Sequence, residues 1–142
     1  MPDRNPRELD TAAEDLLRQV AAFGRPAPLF VITGGDPFRR ADLLELIEYG
    51  EETGVHVAAS PSGTPTLTPD RPRAVHEAGA VGLALSLDGS TDELHDGFRG
   101  VPGVFRWTLD AWDTARALGM KVQINATVAP GTSSLTCRTS CA

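Results

Sequence analysis

The sequence predicts an α/β fold: a parallel sheet of repeated βα units. Three observations carry this. Four short strand-like segments, each too short for a helix, alternate with segments in which apolar residues recur at helical spacing. A glycine follows each of the longer helical segments, at Gly24, Gly54, Gly79 and Gly119. The strands are spaced by helix-length connections, which suit parallel crossovers rather than hairpins.

The elements follow in order. Thr11-Ala12-Ala13-Glu14 has the pattern of a capping box with Thr11 as N-cap, and Leu16, Leu17, Val20, Ala21 and Phe23 continue it as one helical stripe. Leu29 to Thr33 is a continuous apolar run, predicted as a strand buried on both faces. Gly34-Gly35-Asp36-Pro37 breaks it. A second helix is predicted over Asp42 to Thr53, with Leu43, Leu44, Ile47 and Tyr49 inward. Val55 to Ser60 reads as a strand and Pro61 to Pro69 as a loop. Asp70 to Ala78 reads as a short helix weakened by Pro72. Val81 to Leu87 is the third strand. Asp88 to Gly103 reads as a long connection with a polar helical turn and His95 in a structural loop role. Val104 to Leu118 is a strong helix with Phe105, Leu109, Trp112 and Ala115 on one stripe, and Lys121 to Val128 is the last strand.

Composition bounds the function. The 142 residues are one domain's worth of chain, 41% hydrophobic and 23% charged, which fits a folded domain and not a disordered one. A net charge of −6 argues against a nucleic-acid partner, which needs a basic footprint. No apolar run approaches the roughly 18 residues of a membrane span, and the N-terminus lacks a signal core, so no membrane partner and a cytoplasmic location are expected. The two cysteines, Cys137 and Cys141, fall in the last six residues and supply no disulfide framework. Residues 1–130 form the predicted domain. Residues 131–142 are an irregular tail, which two readings explain equally: a disordered end, or a frameshift near Gly131. Written with GC-ending codons and read two bases later, Leu135 to Ala142 becomes an acidic, leucine-rich helix start.

In parallel α/β folds, ligands bind at the carboxyl ends of the strands. Here those ends carry Thr33-Gly34-Gly35-Asp36, Ser60, Ser86-Leu87-Asp88-Gly89, and Asn125 with Thr127. Two glycines let a ligand approach the backbone, and Asp36 adds a fixed charge. The loop is not a phosphate loop, because no Gly-Lys-Ser/Thr follows. His56 reads as a strand-face residue and His76 as an exposed helical one; Phe105, Trp107 and Trp112 read as packing. No metal site is assigned.

Thr33-Gly34-Gly35-Asp36-Pro37, Ser86-Leu87-Asp88-Gly89, His95-Asp96-Gly97-Phe98-Arg99-Gly100 and Val122-Gln123-Ile124-Asn125, in this order, resemble a radical S-adenosylmethionine (radical SAM) enzyme. The nearest resemblance is to the haem-pathway, cofactor and peptide-maturation subgroup, over residues 5–130. It implies a fragment of a (β/α)6 partial TIM-like barrel, supplying the second to fifth strands. It also implies an activity for the intact enzyme: reductive cleavage of S-adenosylmethionine at a 4Fe–4S cluster, generating a 5′-deoxyadenosyl radical. By the same resemblance, Gly34, Gly35 and Asp36 receive the amino group of the methionine moiety and Ser60 faces that moiety. Ser86 and Asp88 bond ribose hydroxyls, Arg99 approaches the ligand carboxylate, and Asn125 walls the adenine and ribose.

The family's Cys-x3-Cys-x2-Cys motif is absent, so whether this chain is an enzyme stays open, and Met1 is expected to be an internal start of a truncated, inactive chain. The alternatives are a non-catalytic or vestigial SAM-binding domain and an unrelated α/β enzyme with an anion-binding Gly-Gly loop. S-adenosylmethionine is the expected small-molecule partner. Self-association is expected through a sheet edge at Leu29 to Thr33.

Overall fold

The computed structural model describes residues 10–24, 26 and 28–127. Ten elements follow one another: α1 (Asp10–Ala21), β1 (Phe30–Ile32), a 3-10 turn (Pro37–Arg39), α2 (Leu43–Glu52), β2 (Val57–Ala59), α3 (Asp70–Glu77), β3 (Gly82–Ser86), α4 (Asp92–Arg99), α5 (Val104–Ala117) and β4 (Lys121–Asn125). The strands form one parallel sheet in sequence order, β1-β2-β3-β4. The register aligns Val31 with Ala58, Ala58 with Gly82, and Gly82 with Lys121. Among the described residues, no helix is long and apolar enough to cross a membrane.

Alternation along the strands sorts their side chains into two faces. Val57, Ala59, Leu83 and Leu85 enter the core with Leu17, Leu46, Ile47, Val75, Ala111 and Ala115 from the helices. Val31, Ala58, Gly82, Ala84 and Gln123 line the other face, which carries no helix among the described residues and opens as a concave cavity. One side of the sheet is therefore packed by helices and the other is the inside of a partial barrel.

This one-sidedness corrects several expectations. The strand at Leu29 to Thr33 is not buried on both faces: Leu29 and Val31 are exposed, because β1 is an edge strand whose second face borders the cavity. In α2, Leu46 is buried and Leu44 exposed, so the inward stripe is Leu43, Leu46, Ile47 and Gly50. The buried stripe of α5 is Val104, Thr108, Ala111 and Ala115, with Trp107 and Trp112 packed beside the core. Thr11 lies inside α1, which already includes Asp10, so it is not the N-cap. Phe23 lies beyond that helix and is exposed. Pro72 sits in the first turn of α3, where its missing N–H has no intrahelical role, and it is buried rather than disruptive. The connection after β3 contains a complete helix, α4, capped by Thr91 at its start and by left-handed Gly100 at its end. His95 therefore lies on a helix and not in a loop. His76 is half-buried on α3. The predicted tail, with Cys137 and Cys141, lies outside the described residues.

Candidate functional site at the carboxyl ends of the strands

The cavity on the concave face has a volume of about 570 Å³. Its floor is formed by small residues, Ala58, Gly82 and Ala84, whose short side chains leave the space open. Its polar lining includes Thr33 and Ser60 after the ends of β1 and β2, and Gln123 and Asn125 on β4. Ser86 pairs in register with Asn125. Gln123 Nε2 donates to Asn125 Oδ1 at 2.7 Å, which orients that amide. Ser60 is anchored through its backbone N–H, which donates to the Ile32 carbonyl at 2.8 Å.

Beyond β1 the chain turns sharply. Gly34 and Gly35 both have left-handed backbone, with φ of 91° and 53°. A side chain at either position is strained by that conformation, although a Cβ would meet no protein atom within 4 Å. Ser62 Oγ donates to the Gly35 carbonyl.

Asp36 does not project into this space. It is buried, and its Oδ1 accepts from the Phe38 N–H at 3.1 Å, so it caps the 3-10 turn. Its Oδ2 accepts from Thr64 Oγ1 at 2.6 Å and from Thr66 Oγ1. The carboxylate thus ties the loop after β1 to the loop after β2. Both carboxylate oxygens are thus engaged within the protein, directly after the Gly34-Gly35 turn.

A second cluster lies behind the ends of β3 and β4. Asp88 is 1% exposed. Its Oδ2 accepts from Arg99 Nε at 2.6 Å, and its Oδ1 from the Thr127 N–H at 2.6 Å. Its own N–H donates to His95 Nδ1 at 3.0 Å. Arg99 is thus tethered to Asp88 through Nε, with its side chain 31% exposed. Burial of the imidazole holds the His95 pKa below its ordinary value; Arg99 acts in the same direction, and Asp88 and Asp96 oppose it. At the exposed start of α4, Glu93 is held below the usual carboxylate range, first by a backbone hydrogen bond and then by the Asp92 and Thr91 side chains.

Gly34, Gly35, Ser60, Ser86 and Asn125 all lie at the carboxyl ends of the parallel strands, and of these Ser60 and Asn125 line the cavity. Asp36 and Asp88 act as fasteners of the loops there. Sequence reasoning passed over Ser62, Thr64 and Thr66, because a Pro-rich loop has no period to show which hydroxyls turn inward. His56, Lys121 and Gln123 also line the cavity. Their signal was present: His56 shares strand parity with Ser60, and Lys121 and Gln123 share it with Asn125.

The model of the radical SAM superfamily matches residues 2–134. The chain is 40% identical over 124 residues to an AdoMet-dependent heme synthase of Oleidesulfovibrio alaskensis, covering 87% of this chain and 31% of that protein. It is 37% identical over 116 residues to an AdoMet-dependent heme synthase of Methanosarcina barkeri, covering 82% and 32%. It is 34% identical over 128 residues to a PqqA peptide cyclase of Ruegeria pomeroyi, covering 86% and 34%. The chain thus spans about a third of the length of these curated relatives. With the family's match running from one end of the parallel sheet to the other, this chain belongs to the radical SAM superfamily.

Proposed function

We propose that this chain is the part of a radical SAM enzyme that holds S-adenosylmethionine. The observation that carries the reading is the set of strand ends: a bare, left-handed Gly34-Gly35 turn after β1, next to the end of β2, and a cavity of about 570 Å³ lined by Thr33, Ser60 and Asn125 along a parallel sheet. The relatives support it from another side. They carry different names, heme synthase and peptide cyclase, yet share this region with the chain. A region common to different products suits the reagent they have in common.

The ligand's parts fit the available groups. The backbone of Gly34 and Gly35 offers carbonyls to an ammonium group, with Asp36 fixing the turn and adding a buried negative charge beneath it. Ser60 faces the methionine moiety, Ser86 a ribose hydroxyl, and Asn125 the adenine and ribose. Asp88 acts on the ribose side by holding the loop, and the exposed part of Arg99 meets the carboxylate.

The family's cofactors are S-adenosylmethionine and a 4Fe–4S cluster, which together supply its radical chemistry. The residues present do not fit the cluster. Three thiolates are required, the sequence holds two cysteines, and among the described residues no group of His, Cys, Asp and Glu could hold a metal ion. That donor set also favours a second reading, a non-catalytic SAM-binding domain. Self-association through β1 belongs to the same proposal, since among the described residues that strand pairs on one side alone.

Titration calorimetry with S-adenosylmethionine tests the binding function. The chain is expected to bind it, and Gly35→Val to weaken binding at least about tenfold by filling the approach and straining the turn. Equal affinity in the two proteins would overturn the assignment of the loop.

A further inference from the structure

We propose that His95 is a positioning residue: a neutral imidazole latch that holds the loop after β3 against the end of β4 and releases it when protonated. The proposal deepens the reading of Ser86 and Asp88 as the ribose side of the site and rests on that reading for its effect on ligand binding.

The hydrogen bonding fixes the tautomer. The Asp88 N–H is a donor, so the His95 Nδ1 that it meets at 3.0 Å must present a lone pair. The ring proton then sits on Nε2, which has no hydrogen-bond partner among the described residues. The ring is fully buried, with the Phe105 ring 6.0 Å away. The loop fits closely around it. A Cβ on Gly89 would lie 2.5 Å from the His95 backbone nitrogen, so the chain touches the start of α4 at a point where a side chain has no room.

What the latch holds is connected. From Asp88 the carboxylate reaches Arg99 on α4 and the Thr127 N–H beyond β4. One N–H to imidazole bond thus fixes a residue that ties two strand ends to one helix. Protonation at Nδ1 would set two donors face to face, and the bond would be lost.

The charged groups acting on the ring are Asp88 from the loop, and Arg99 and Asp96 from α4; α5 contributes the uncharged Phe105. Asp88 Oδ2 lies 3.9 Å from Nδ1 and favours the imidazolium, but that carboxylate oxygen is already held by Arg99. Burial is the largest influence and favours the neutral ring. With the folded pKa below the ordinary value of 6.5, the stabilisation from the neutral ring is fully present above pH 6.5 and is lost as pH falls through the folded pKa.

The test uses the whole chain labelled with 15N. The His95 ring is expected to show the Nε2–H tautomer and to remain neutral at pH 6.5. Protection of the Asp88 and Thr127 amides from exchange should fall about tenfold as the ring titrates. Two substitutions separate positioning from packing. In His95→Asn the Oδ1 takes the place of Nδ1, so protection should persist at low pH. In His95→Gln the side chain fills volume but its carbonyl lies one atom too far, so protection should be low at every pH. A ring protonated at pH 6.5, a proton on Nδ1, the same pH profile in His95→Asn as in the unsubstituted chain, or full protection in His95→Gln would each overturn the latch. Affinity for S-adenosylmethionine should fall with pH in the unsubstituted chain and not in His95→Asn. If no binding is detected at any pH, the reading of the strand-end site fails, and amide exchange alone decides the latch.

Discussion

Two aspartates at the strand ends, Asp36 and Asp88, have all their carboxylate oxygens engaged by groups of the protein itself. A short carboxylate beside a glycine turn suggests direct ligand contact, but burial makes each an organiser of its loop. Asp36→Ala leaves the Phe38 N–H and two threonine hydroxyls without their acceptor, and is expected to lower stability by about 1–3 kcal/mol in urea denaturation. Asp36→Asn keeps an acceptor for the N–H and offers donors to hydroxyls that can also accept, so it should lower stability by less than half as much. If the two substitutions cost the same, charge rather than hydrogen bonding sets the loop. The positions of Gly34, Gly35, Ser60, Ser86 and Asn125 at the strand ends were legible in the sequence, because each directly follows or ends a strand. The fastening by Thr64 and Thr66 was not, because it joins residues 28 and 30 positions from Asp36 across two loops.

The elements show the same division. β2 and β3 stood out as apolar runs, and α5 as a long amphipathic segment. α4 did not, because Asp92-Glu93-Leu94-His95-Asp96-Gly97-Phe98-Arg99 is mostly polar and contains a glycine. Its stability comes from its ends and from tertiary bonds. Thr91 Oγ1 accepts from the Leu94 N–H, and Asp96 accepts from the Gly103 N–H at 2.5 Å and the Phe105 N–H at 2.8 Å. Asp96 therefore caps α5 from within α4, at a start where Gly103 has no side chain to cap with. Asp96→Ala is expected to cost about 0.5–2 kcal/mol, the range of a lost helix cap, with Asp96→Asn recovering most of it. Thermal unfolding of both variants checks this; an unchanged midpoint for Asp96→Ala would remove the cap from the account. Sheet packing carries its own prediction. A Cβ at Gly82 would lie 2.9 Å from the Lys121 carbonyl, so Gly82→Val should disrupt the β3–β4 pairing, seen as loss of amide protection along Lys121–Asn125. Retained protection would mean that the strands can separate without cost.

At the scale of the molecule, the described residues cover the parallel sheet on one face and leave the other face and the β1 edge open. Leu29 and Val31 are 55% and 43% exposed there, and Leu16 on the neighbouring α1 is 46% exposed. Parallel strands are ordinarily covered on both faces, so this edge is expected to drive self-association. Sedimentation velocity should show concentration-dependent association that Val31→Lys reduces; a monomer at every concentration would contradict it. The sequence marked the run as apolar but could not show that one face borders a cavity, since an apolar strand looks the same whichever neighbours it has.

The central claim is that the strand ends of this chain hold S-adenosylmethionine. Mapping backbone amide shifts on titration with that ligand tests it most directly. The account predicts that the largest changes fall at Gly34, Gly35, Ser60, Ser86 and Asn125, and that the outer face of α5, at Arg106 and Asp113, is unmoved. Shifts concentrated on the helical face, or none at Gly34 and Gly35 under saturating ligand, would contradict it.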